Sequence, residues 1–164
     1  MSSSDRRTFL ITGAAVALSG CGFTPVYAPG GSAEGLRGSI SIDDPRDTAG
    51  FALVRQLESR LGLPQNPQYT LSATISLAED ELGITPDQEI TRFNLRGTVR
   101  FALVDNATGQ TVLRDAVSSF TSYSATGTPF ATQTAEADAR DRLMIILADQ
   151  LVARLLATSP DWRQ

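Results

Sequence analysis

In the run Ile90-Thr-Arg-Phe-Asn-Leu-Arg-Gly-Thr-Val-Arg-Phe-Ala-Leu-Val104, arginine recurs at every fourth position, at Arg92, Arg96 and Arg100. On an extended chain alternate side chains point to opposite faces, so these three guanidiniums share one face. Arginine is the side chain suited to bidentate contact with phosphate or carboxylate. The chemistry implied is recognition, not bond-making. The plainer reading of the same stripe is a solvated face with cross-strand ion pairs, for instance toward Asp115. The rest of the inventory is poor in reactive groups. The chain has no histidine and no lysine, all fourteen basic residues are arginine, and there is one cysteine. The commonest general base is therefore missing, and so are the usual zinc ligands. No glycine-rich phosphate loop or nucleophile elbow occurs. Neither an enzyme, a metal site nor a cofactor is expected.

The single cysteine, Cys21, closes the string Leu18-Ser19-Gly20-Cys21. Ahead of it lie Arg6 and Arg7, with no acidic residue between them and Glu34, and then the apolar run Phe9–Leu18. Ten helical residues reach only ~15 Å, half of a ~30 Å bilayer core, so the run is too short for a permanent span. A positive start, a short apolar stretch and small residues form the layout of an export signal. Leu-Ser-Gly-Cys resembles a bacterial lipobox, in which the cysteine is acylated and becomes the first mature residue. Several acyl chains hold a protein to a membrane where one binds marginally. With Cys21 acylated no thiol remains for a disulfide, a nucleophile or a metal. Asp5-Arg6-Arg7-Thr8-Phe9-Leu10 also resembles a twin-arginine export motif, although an ordinary secretory signal with two adjacent arginines fits as well. Gly22 in place of an aspartate points, by analogy, to the outer membrane.

The expected organisation is a cleaved signal over 1–20, a lipidated Gly/Pro-rich tether over 21–37 and one domain over 38–164. A domain of this size can bury ~68% of its unfolded surface without staples. The net charge of −4 argues against nucleic acid as a partner.

The elements that must position the arginines follow from periodicity. Ser39-Ile40-Ser41-Ile42 alternates as a short strand. Asp47 or Thr48 caps a helix whose core face reads Phe51, Val54, Leu57 and Leu61, ended by Gly62. Tyr69, Leu71, Ala73, Ile75 and Leu77 alternate with the hydroxyls of Thr70, Ser72, Thr74 and Ser76, giving a strand with a polar face. Residues 79–89 interrupt that pattern and read as a loop or an irregular strand end. In the arginine strand Phe93, Leu95, Val99, Phe101 and Leu103 share the opposite parity, so a one-residue slip would bury three guanidiniums. Gly97 falls on the apolar parity, where a helix packs close or the strand bulges. Asp105–Gly109 forms a hairpin turn. The returning strand 111–123 has mixed parity, with Val112, Ala116 and Phe120 on one side and Leu113, Val117 and Tyr123 on the other; a bulge or burial on both faces accounts for it equally. Thr128 and Pro129 start a last, long helix, apolar at Leu143, Met144, Ile146, Leu147, Leu151 and Leu155 and stopped by Pro160. The order β-α-β-β-β-α predicts an α+β fold with two helices on one face of a four-stranded, mainly antiparallel sheet.

The lipobox leading into Cys21-Gly-Phe-Thr-Pro-Val-Tyr27, the helix end Gln56-Leu57-Glu58-Ser59-Arg60-Leu61, Thr91-Arg92-Phe93-Asn94-Leu95, Ala135–Arg140 and Leu147–Leu151 together resemble the LPS-assembly lipoprotein family LptE, in its alphaproteobacterial form. The resemblance covers nearly the whole chain. It implies a non-enzymatic lipoprotein on the periplasmic side of the Gram-negative outer membrane that plugs the β-barrel LptD. It also implies support of barrel assembly, lipopolysaccharide binding and delivery of that lipid to the outer leaflet. On this reading Cys21 is the lipid attachment site, and Arg92, Arg96 and Arg100 are candidates for contact with lipopolysaccharide or the barrel. The alternative is another lipoprotein adaptor of envelope assembly.

Overall fold

The computed structural model describes residues 29, 31, 33–84, 90–125 and 128–163. Cys21, the leader 1–20, Phe23 and Tyr27 lie outside the described residues. The elements run β1 (Ile40–Ile42), α1 (Thr48–Leu61), β2 (Tyr69–Ile84), β3 (Ile90–Asp105), β4 (Thr111–Ser124) and α2 (Pro129–Trp162). One four-stranded sheet has the order β1-β2-β3-β4. It is mixed: β1 pairs parallel with β2, and the other two pairings are antiparallel. The parallel pair follows from the chain path, because α1 carries β1 over to β2 as a helical crossover.

Helix α1 starts where the Asp47 carboxylate accepts a 2.7 Å bond from the Gly50 amide, a cap whose loss costs about 1 kcal/mol. It stops at Gly62, whose φ of 80° is left-handed and suits a residue without Cβ. Its core face is Ala49, Ala52, Leu53, Leu57 and Leu61, while Phe51 is 63% exposed. The expected Phe51 and Val54 thus give way to the Leu53 side of the helix. Packing against α2, the element α1 touches most, selects that side.

Strand β2 continues past Leu77 to Ile84, through part of the segment expected as a loop or an irregular strand end, in register with β3 from Tyr69↔Asp105 to Ile84↔Ile90. Acidic side chains there find partners that the local pattern does not reveal. Asp80 pairs with Arg96, and Glu79 accepts a 3.0 Å bond from the Tyr123 hydroxyl. The mixed parity of β4 resolves as a register shift between Leu103 and Val104, which leaves Val112 as the extra residue. Beyond it Leu113, Val117 and Tyr123 face inward, and Ala116 and Phe120 face out.

Helix α2 has 34 residues, about 51 Å at 1.5 Å per residue. That is comparable to the ~53 Å of a sixteen-residue strand, and the helix contributes buried residues from Ala139 to Trp162. By length and composition it could cross a membrane, yet Leu143, Met144, Leu147, Leu151 and Leu155 are fully buried in the core. Ile146, expected with them, is 37% exposed. Gly97 sits beneath: a Cβ there would lie 2.8 Å from Leu147 Cδ1 and 3.0 Å from Leu143 Cδ2. Close helix approach, one of the two readings of that glycine, is the observed one. The helix begins on Thr128, whose hydroxyl accepts from the Ala131 amide, with Pro129 at its first position. Pro160 does not stop it, since α2 runs on to Trp162. A proline lacks the N–H that would bond the carbonyl four residues back. Here the Ser159 hydroxyl supplies that bond to Leu156 O at 2.9 Å.

The two helices are tied by Asp149, which accepts from Gln56 Nε2 at 3.0 Å and from Arg60 Nε and NH2 at 2.9 and 3.0 Å. Arg154 reaches Asp115 on β4 at 3.0 Å. Ala33 and Leu36, within the stretch expected as a tether, are fully buried in the core.

Candidate functional site

Because both helices pack on the inner face, the outer face of the sheet is left to its own side chains. The register fixes who they are. Opposite one another across β2, β3 and β4 stand Leu82, Arg92 and Ser124; Asp80, Asn94 and Ser122; Ala78, Arg96 and Phe120; Ser76, Thr98 and Ser118; Thr74, Arg100 and Ala116; and Ser72, Ala102 and Arg114. All three arginines singled out from the sequence therefore lie on this face and are exposed. The hydroxyl row Thr70, Ser72, Thr74 and Ser76 joins them there. Two separate sequence signals thus describe one surface.

Its polar groups are partly knitted together. Arg96 makes a two-pronged contact with Asp80, Nε to Oδ2 at 2.7 Å and NH2 to Oδ1 at 3.0 Å. Thr98 and Ser118 hydroxyls are 2.9 Å apart, the Ser122 hydroxyl donates to Asn94 Oδ1 at 3.2 Å, and Thr70 Oγ1 donates to Asn106 Oδ1 at 2.7 Å. Arg92 and Arg100 form no ion pair with another described residue. Asp115, the carboxylate that the plainer reading offered to the stripe, is on the inner face at the Phe101 position and is taken by Arg154. The stripe is consequently less neutralised than cross-strand pairing alone would make it.

Two residues of the face were not legible as members of it. Arg114 and Phe120 acquire their outward direction only from the register of β4, which the bulge at Val112 sets. Phe120 is 64% exposed, an isolated ring among Ser, Thr and Asn side chains. With Arg114 the described residues of the outer face include four arginines against the one carboxylate of Asp80, on a chain whose net charge is −4. Its positive character is local, which is what an anion-recognising surface requires.

The inner face turns polar toward its far end. Tyr123 stacks on Phe93 with ring centroids 5.2 Å apart and an interplanar angle of 15°. Burial, then the hydrogen bond to Glu79, pushes the Tyr123 phenol up to about 12. Glu136 and Arg140 form an ion pair within α2 nearby. Among the described residues no group of three or more carboxylate or thiol side chains is placed to hold a metal ion.

A search of curated protein sequences finds no match. Among solved structures, a candidate lipoprotein from Caulobacter crescentus CB15 is similar with a TM-score of 0.64 and 22% identity, over 79% of this chain and 96% of that one. Rare lipoprotein B from Shewanella oneidensis has a TM-score of 0.58 and 18% identity, over 77% and 98% of the two chains. A minor lipoprotein from Acinetobacter baumannii has a TM-score of 0.55 and 18% identity, over 73% and 89%. These likenesses show a shared fold. The family model described as LptE, lipopolysaccharide-assembly, matches residues 38–155. That stretch runs from just before β1 to the last buried leucine of α2, so the chain belongs to the LptE lipopolysaccharide-assembly family.

Proposed function

We propose that this chain is an outer-membrane lipoprotein, acylated at Cys21 and held on the periplasmic side, that plugs an LptD-type β-barrel and supports its assembly. In that position it takes part in delivering lipopolysaccharide to the outer leaflet. The observation that carries the reading is the family match over 38–155, a stretch that includes the whole sheet. The outer sheet face supports it. A plug in a water-filled barrel lumen needs a surface that tolerates hydration, and the row of Ser, Thr and Asn on this face is of that kind. Lipopolysaccharide carries phosphates, and exposed arginines suit them. The Leu-Ser-Gly-Cys string supports the anchor, which places the domain beside the membrane in which such a barrel sits.

Depletion of the protein in its own cell tests this reading. The amount of folded barrel and of lipopolysaccharide at the cell surface should both fall, with the total level of other outer-membrane barrels unchanged. Normal levels of both after depletion would contradict the proposal and favour a different adaptor role in the envelope.

A further inference from the structure

We infer that the phosphate-binding part of the outer face is a cradle formed by Arg100 of β3 and Arg114 of β4, not the Arg92–Arg96 end of the stripe. The inference rests on the proposed lipopolysaccharide role and assigns it a place. Arg100 stands opposite Ala116, and Arg114 stands two residues along the same strand, opposite Ala102. Diagonal neighbours of this kind lie ~7–8 Å apart at the backbone, within mutual reach of long side chains. The surface between them is lined by Ser72, Thr74, Ala102 and Ala116, all too short to fill it, and is bordered by Phe101 and by Asp115, whose carboxylate is engaged by Arg154. Two guanidiniums over a floor of small and hydroxyl side chains offer a tetrahedral anion both charge and several N–H donors.

The neighbouring groups decide between the two ends: Arg92 also forms no ion pair with another described residue, but it stands between Leu82 and Ser124 with no arginine beside it on β4. Arg96 already spends both its prongs on Asp80, so an incoming phosphate would have to displace a carboxylate. Arg100 makes no ion pair with another described residue, and Arg114 has only a 3.4 Å contact from NH2 to the Thr111 hydroxyl. The Asp115 carboxylate is withdrawn to the inner face by Arg154. Around the cradle there is no large exposed apolar side chain among the described residues; Phe120 stands four residues beyond Ala116 along the face. A protein partner would be expected to anchor on such a ring, so the chemistry here favours the phosphorylated saccharide headgroup of a lipid over a protein surface.

Equilibrium binding of the full lipidated chain in detergent tests this, with three probes: phosphorylated rough lipopolysaccharide, the same lipid after enzymatic dephosphorylation, and phosphatidylglycerol vesicles. The wild-type chain should prefer the phosphorylated form. R100Q/R114Q should lose about tenfold or more in affinity for it, the scale of a charge-assisted contact, and should lose the preference. R100K/R114K should fall between the two, because lysine keeps charge without the fork. R96Q should change affinity by less than about threefold, and thermal melting of every variant should match the wild type. Retention of wild-type affinity and preference by R100Q/R114Q would overturn the cradle while leaving the lipopolysaccharide role intact. An equal loss toward dephosphorylated lipid would assign the arginines to another contact and overturn it too. Equal dependence on both arginines for phosphatidylglycerol would overturn the saccharide-lipid assignment. A wild-type chain that binds no lipopolysaccharide at all would remove the cradle together with the role it rests on.

Discussion

Gly97 and Leu147 are packed so closely that a Cβ on the glycine would lie 2.8 Å from Leu147 Cδ1. Both neighbours in the contact, Leu143 and Leu147, are fully buried, so neither can swing away. Overpacking of a filled core typically costs 1–3 kcal/mol. Gly97→Ala should therefore lower stability by about 1–3 kcal/mol in urea denaturation, with the larger Gly97→Val costing more. Gly109→Ala provides the contrast: it has open space around it but a φ of 69°, so its cost should be about 1 kcal/mol and come from the backbone alone. Equal stability of Gly97→Ala and wild type would refute the close approach of α2.

Tyr123 makes the fold sensitive to alkali. Its phenol is pushed up to about 12 from an ordinary 10 by burial and by the Glu79 carboxylate. Between those values the unfolded chain has lost a proton that the folded chain keeps, so stability falls as pH rises. The contribution is complete below pH 10 and is lost progressively toward pH 12, up to roughly 2–3 kcal/mol at 1.36 kcal/mol per unit. Tyr123→Phe should remove this alkaline decline. A denaturation series from pH 8 to pH 11.5 reads it, and an identical decline in the variant would show that Tyr123 is not responsible.

The acid end has a different source. The hydrogen bonds from Arg60, with a further one from Gln56, hold the Asp149 carboxyl below its ordinary 3.8. A depressed carboxylate stabilises the fold above its unfolded value, and that stabilisation disappears as pH drops through the folded one. Loss should begin below about pH 4. The pair is about half exposed, so solvent screens it, and Asp149→Asn should cost no more than about 1 kcal/mol at neutral pH. The variant's stability should then fall less steeply between pH 4 and pH 2. A larger neutral-pH cost would mean that the helix–helix contact depends on this ion pair more than its exposure allows.

Much of this architecture is written in local pattern, and what is missing from the pattern is set at long range. Asp47, Gly62, Thr128 and Pro129 announce helix ends through chemistry within a few residues, and all four act as expected. The arginine strand is legible because burying three guanidiniums is so costly that only one register survives. Residues 79–84 were legible only as a loop or an irregular strand end, because Glu79 and Asp80 are satisfied by Tyr123 and Arg96 on other strands. Pro160 breaks a local rule, and its compensation is a single hydroxyl on Ser159. Arg114 and Phe120 were hidden as site residues for one reason: the shift at Val112 inverts the outward parity of β4 relative to a regular count from the turn. Family function was legible only as a likeness, since no residue spacing encodes lipopolysaccharide.

Lipid attachment gives a direct chemical prediction. Cells fed radiolabelled palmitate should incorporate label into the wild-type protein and none into Cys21→Ser, the single cysteine being the only thiol available. The variant should remain at its full precursor length, uncleaved. Label retained by Cys21→Ser would refute the assignment.

The measurement that bears most directly on the proposed role is affinity isolation of the lipidated chain from solubilised outer membrane, followed by mass spectrometry and lipid analysis. An LptD-type barrel in near-stoichiometric amount, with lipopolysaccharide enriched over bulk phospholipid, is the predicted result. Recovery of the chain without a large β-barrel protein, or with a different envelope assembly as its stoichiometric partner, would contradict it.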